Sequence, residues 1–127
     1  MIGILDTHAF IWAAETPHLL SPTARAFIVD PRNTILLSVA SVWEMIIKHS
    51  LGKLPLAKPI DEMLQTLPQE GIDLLPITID HVMAVMGLPS VHKDPFDRIL
   101  AAQSIRENAA IVTIDGVFRQ YPVRIIW

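Results

Sequence analysis

The sequence contains no cysteine. Disulfides, thiolate metal sites and a cysteine nucleophile are therefore excluded. It has no apolar run near the roughly 20 residues that a bilayer-spanning helix needs, so no membrane association is expected. The opening "MIGILDTHAFIWAAE" lacks the basic segment of a signal peptide and carries an aspartate early, which leads to the expectation of a cytoplasmic protein. Phosphate loops of the G-x-x-x-x-G-K-[ST] and G-x-G-x-x-G kinds are absent, and so is the G-x-S-x-G elbow of serine hydrolases. The five histidines, His8, His18, His49, His81 and His92, show no H-x-x-x-H spacing for a transition metal. His49 and His92 remain candidates for holding a phosphate. A basic excess is missing too, since the formal charge is −3, which argues against a protein that grips nucleic acid by charge alone.

What is abundant is apolar surface. The 127 residues are 51% hydrophobic and only 18% charged, enough to cover both faces of a buried sheet or to supply a surface for a partner. The length suits one domain over residues 1–127. No repeat, linker or low-complexity tract divides it, and the 10 prolines fall mostly at helix starts and ends.

"IGILD" reads as a short strand ending in an acid, followed by a helix over "THAFIWAAE". In "SPTARAFIVD" Ser21 is placed as N-cap and Pro22 as the first helical residue of a second helix, and "TILLS" follows as a buried strand. "VASVWEMIIKHSLGKL" is the clearest helix, with Val39, Val42, Trp43, Ile46 and Ile47 on one face. A shorter helix in "KPIDEMLQTLPQEG", a strand in "IDLLPI", helices from about Thr78 and from Pro95, a strand in "AAIVTID" and a last strand in "VRIIW" complete the pattern. Strands alternating with helices predict an α/β fold, a three-layer α/β/α sandwich around a mostly parallel sheet.

Each acid in this pattern has an ordinary structural reading beside a chemical one. Asp6 can cap the first helix, Glu44 can pair with Lys48 one turn on, and Asp115 before Gly116 is a turn signal. In "HKDPFDR" Asp94 fits an N-cap, Pro95 N1 and Asp97 N3. What the separate readings leave unexplained is their common placement. Asp6 and Asp115 stand at carboxyl ends of strands, where open parallel sheets form ligand sites at a switch in strand order, and Glu44 and Asp97 can face the same cleft. Converging carboxylates repel one another unless protonated or neutralised by a cation, and oxygen-only ligands suit Mg²⁺ or Mn²⁺. Such a site fits phosphodiester hydrolysis. If four of the 13 acids are gathered there, the remaining acids fall just below the 10 Lys plus Arg, and the rest of the surface is near neutral.

The blocks "ILDTHAFIW", "SVASVWEMIIKHSLGKLPL", "HKDPFDRILAAQSI" and "AAIVTID" resemble, in order and over nearly the whole chain, the motifs of PIN-domain toxins of the VapC type. The resemblance implies an endoribonuclease using Mg²⁺ or Mn²⁺ bound by Asp6, Glu44, Asp97 and Asp115, with RNA as substrate. It places Thr7 beside the first acid as an assistant in metal or phosphate binding, and Asp94 and Arg98 in the subgroup's "DPFDR" block. Arg98 is expected either to pair with Asp94 or to contact the RNA phosphate. The resemblance further implies a small antitoxin that wraps the toxin, and a homodimer. Two other readings stand beside it. An aspartate-based phosphohydrolase would want a second acid two residues beyond Asp6, where His8 stands, and a metal-free interaction module would use the apolar surface alone.

Overall fold

A computed structural model describes residues 1–127. The chain runs β1 (Ile2–Leu5), α1 (Thr7–Glu15), α2 (Pro22–Val29), β2 (Thr34–Ser38), α3 (Val39–Ser50), α4 (Ile60–Gln65), β3 (Ile72–Leu75), α5 (Ile79–Ala84), α6 (Pro95–Glu107), β4 (Ala110–Val112) and β5 (Ile125–Ile126). The five strands form one sheet in the order β3-β2-β1-β4-β5, and every pairing is parallel. The chain lays β2 and β3 on one side of β1 and then returns to lay β4 and β5 on the other. That reversal puts a crevice outside the carboxyl ends of β1 and β4, where side chains can project without a crossover covering them.

Alternation along the strands sorts the core into two layers. Leu5, Ile35, Leu37, Ile72 and Val112 pack with Phe10 and Ala24 of α1 and α2, and with Met63 of α4. Ile4 and Ile111 face the other way, onto Leu100, Ala101 and Ala102 of α6 and onto Phe118. The three-layer sandwich is thus present, with its sheet wholly parallel.

Helix starts follow the predicted chemistry. Ser21 accepts from Ala24 N at 3.0 Å with Pro22 next in line, and Thr78 with His81 forms a reciprocal capping box at the head of α5. The face of α3 differs from the apolar stripe in its sequence. Ala40, Ser41, Glu44 and Met45 are buried, whereas Val39, Trp43 and Ile46 are exposed. Small residues let the helix approach α1 and α6 closely; of the stripe, Val42 packs on the first core layer and Ile47 is half-buried, and the rest faces outward. Trp43 stacks edge-on against Phe96 of α6, ring centroids 5.4 Å apart.

Gly3 in β1 lies directly under the ring of Phe27 from α2. A Cβ there would collide with Cε1 of Phe27 and come within 2.9 Å of its Cζ. Gly3→Ala is therefore expected to cost about 1–3 kcal/mol in urea unfolding, the usual penalty of overpacking, and Phe27→Leu in that background to recover part of it.

Candidate functional site

Asp6 is the residue at which β1 hands over to α1. Its backbone N–H donates to the Val112 carbonyl at 3.1 Å, which pins it at the seam with β4. Oδ1 accepts the Ala9 N–H at 2.8 Å, and Oδ2 accepts the Thr113 hydroxyl at 2.5 Å. The carboxyl group is buried, and that burial is the main reason its pKa is raised; Thr113 and Ala9 pull it back down, and Asp115 pushes it up again. The cap predicted from sequence is present, and it takes only one of the two oxygens.

Thr7, next in the chain, donates its hydroxyl to Oε1 of Glu44, so α1 and α3 are tied together through this acid. Oε2 of Glu44 accepts from Lys48 Nζ at 2.5 Å. The Glu–Lys pair exists, but it is not a surface pair, because the Glu44 side chain is only 8% exposed against 38% for Lys48. The ammonium is in turn held above its usual pKa by that bond to Glu44.

At the head of α6, Asp94 Oδ1 accepts the N–H groups of Phe96 at 2.8 Å and Asp97 at 3.3 Å, with Pro95 between them. This is the predicted register. Asp97 Oδ2 meets Nε2 of His92 at 2.9 Å. Burial lifts the Asp97 carboxyl to about 6; the charges of Asp94 and Glu44 add to the rise, and His92 opposes it. Asp115 completes the set from beyond β4: its Oδ1 accepts from Val117 N at 3.0 Å, and its own N–H donates to Thr113 Oγ1 at 2.9 Å.

Asp6, Glu44, Asp94, Asp97 and Asp115 all line one cleft of about 420 Å³, together with Thr7 and Lys48. Chemistry distinguishes it, not size: hollows of about 550 and 730 Å³ elsewhere carry no comparable set of acids. The four acids singled out in the sequence share the cleft. The closest mutual grouping of ligand-type atoms, all within 4.8 Å of one another, is however His92, Asp94 and Asp97. Asp94 is thus both a cap and a lining acid. The donor set of carboxylate oxygens, with the imidazoles of His8 in the lining and His92 beside Asp97 and with no sulfur, fits a hard divalent cation.

Two expectations are corrected. Arg98 neither pairs with Asp94 nor faces the cleft; its guanidinium donates to the carbonyls of Pro89, His92 and Val85, which braces the segment carrying His92. His49 holds the Leu54 carbonyl at 2.9 Å and does not line the cleft. Sequence reasoning gave no role to Thr113 in the "TID" block, whose buried hydroxyl links Asp6 to Asp115. Its place two residues before an acid at a strand end was the available signal.

Residues 3–123 match the family model described as PIN domain. The chain belongs to the PIN domain family. Over 35 residues it is 57% identical to Ribonuclease VapC16 of Mycobacterium tuberculosis, a match covering 28% of this chain and 25% of that protein. The match thus spans about a quarter of that relative's length. The fold resembles that in the crystal structure of VapBC2 from Rickettsia felis bound to a DNA fragment from their promoter, with TM-score 0.69 and 19% identity over 98% of this PIN chain and 97% of that chain. VapBC-1 from nontypeable Haemophilus influenzae aligns with TM-score 0.61 and 18% identity over 94% and 92% of the two chains. FitAcB from Neisseria gonorrhoeae aligns with TM-score 0.60 and 19% identity over 98% and 96%. At these identities the likeness is one of fold. No helix of this PIN protein is long and apolar enough to cross a membrane.

The raised pKa of Asp97 has a testable sign. Its folded value of about 6 lies above the ordinary 3.8, so the folded state holds the proton more tightly than the unfolded chain does. The resulting stabilisation is complete below pH 3.8 and is lost as pH rises through about 6. In chelator, the wild-type protein should gain about 1–3 kcal/mol relative to Asp97→Asn as pH falls across that window. Unfolding curves of the two proteins between pH 7.5 and 4.5 check this, and parallel pH profiles would refute it.

Proposed function

We propose that this PIN-domain chain is a metal-dependent endoribonuclease, the toxin of a toxin–antitoxin pair acting in the cytoplasm, and that residues 1–127 form one PIN-like domain. The observation that carries the reading is the gathering of Asp6, Glu44, Asp94, Asp97 and Asp115 in one cleft at the strand-order reversal of a PIN fold. The resemblance to VapC-type toxins and the short, close match to Ribonuclease VapC16 support it. Asp6, Glu44, Asp97 and Asp115 are the proposed ligands of Mg²⁺ or Mn²⁺, with Thr7 and Asp94 in support.

A bound divalent cation supplies neutralisation of charge building on the phosphate and lowers the pKa of a water molecule. The protein's part is orientation. The Ala9 N–H and Thr113 hydroxyl fix Asp6, Thr7 fixes Glu44, and the first turn of α6 holds Asp94 and aims Asp97. In the hydrolysis, the water oxygen bonds to phosphorus as the bond to the leaving ribose oxygen breaks, and a proton passes to that oxygen. Arg98 acts as a positioning residue through the backbone it braces. The phosphohydrolase alternative loses ground here, because His8 stands where that chemistry wants a second acid.

The exposed stripe of Val39, Trp43 and Ile46 on α3 supports a protein partner surface. We assign it to a second copy of the chain, and a small antitoxin as a further partner at the cleft.

Asp6→Asn should abolish RNA cleavage in Mn²⁺ without loss of melting temperature, since the amide oxygen keeps the cap and a buried charge is removed. Cleavage that persists in EDTA overturns the metal mechanism, whereas unfolding of Asp6→Asn reduces Asp6 to a structural cap. Trp43→Asp should convert a dimer to a monomer in sedimentation; a monomeric wild type at tens of micromolar removes the proposed interface.

A further inference from the structure

An anionic RNA entering this cleft meets five carboxylates, and of the residues that line it Lys48 is the only lysine or arginine. Near the acidic corner, Arg98 has its guanidinium committed to the carbonyls of Pro89, His92 and Val85, and the exposed Lys93 does not line the cleft. Lys48 is also committed, but to an acid that the metal reading needs. Glu44 accepts Thr7 on Oε1 and Lys48 on Oε2, so both of its oxygens are engaged. A divalent cation taking Glu44 as ligand has to share or displace one of these partners. Thr7 is buried at the head of α1 on a short side chain, whereas Lys48 is 38% exposed on a flexible four-carbon stem. An ammonium and a divalent cation on the same carboxylate oxygen repel each other, so the lysine is the partner that yields.

Resting on the metal-dependent reading above, we propose that Lys48 has two stations: its ammonium competes with the divalent cation for Glu44, and once displaced it contacts the backbone phosphate of the bound RNA. The lysine thereby couples metal loading to substrate binding. Without the metal the cleft offers RNA no free cationic side chain from lysine or arginine, and with it the cleft gains the metal's charge and a released ammonium together. Lys48 keeps the site closed to RNA until it is loaded.

The two stations predict opposite effects of one substitution. Lys48→Met keeps the stem and removes the charge, so Mn²⁺ affinity measured by calorimetry without RNA should tighten about three- to fivefold, the equivalent of one partly exposed ion pair. At saturating Mn²⁺ the KM for a single-stranded RNA should rise with a smaller change in kcat, and the slope of log affinity against log salt should fall by about 0.7, the loss of one phosphate contact. Lys48→Arg should restore the salt slope. A measurement on the unaltered protein stands beside the variants: acetylation of Lys48 by the N-hydroxysulfosuccinimide ester of acetic acid, read by mass spectrometry, should accelerate when Mn²⁺ is added. Unchanged or weaker Mn²⁺ binding by Lys48→Met, or a labelling rate indifferent to Mn²⁺, overturns the proposal while leaving the metal-dependent nuclease standing. A wild-type protein that binds no Mn²⁺ overturns both.

Discussion

Mutual repulsion among five carboxylates, set where two adjacent parallel strands end, is the constraint around which this protein is arranged. Burial adds a second cost and is the first cause of the raised pKa values of Asp6 and Asp97; the neighbouring carboxylates add a smaller push in the same direction. The fold tolerates it by surrounding each acid with donors that a folded chain can supply cheaply. Three of the five acids receive backbone N–H groups at the start of a helix or helical turn. A fourth receives a hydroxyl and an ammonium, and the fifth an imidazole.

The capping bonds and the cleft chemistry are parts of one arrangement. A helix N-terminus carries unsatisfied donors and partial positive charge, so an aspartate placed there is both stabilised and oriented. Asp6 gives one oxygen to the first turn of α1 and turns the other toward Thr113; Asp94 satisfies two N–H groups through a single oxygen. Capping therefore aims these carboxylates without filling them. Asp97 stands three residues into its helix, where the cap needs it least; it is the acid paired with a histidine, and burial lifts its carboxyl to about 6.

Outward from the cleft, the same economy explains α3. The helix brings Glu44 to the site only by lying close to α1 and α6, and close approach requires Ala40 and Ser41 on the inner side. Val39, Trp43 and Ile46 are then left outside. An amphipathic stripe in a sequence marks a face that will be covered, and it does not say whether the cover comes from the same chain.

Much of this was legible from the residues in order. Short apolar runs and helix-starting Ser-Pro and Asp-Pro pairs located the elements, because those signals are local and act within a turn or two of the chain. The positions of Asp6, Glu44, Asp97 and Asp115 at strand ends and early in helices pointed to one crevice, because a parallel sheet leaves few places for such residues to go. Contacts between distant segments were a different matter. Arg98 reaching three carbonyls, Thr113 bridging Asp6 to Asp115 across the chain's length, and the inner face of α3 all depend on how elements dock. Docking is decided by packing and by the need to satisfy buried polar groups in three dimensions, and a local pattern carries neither.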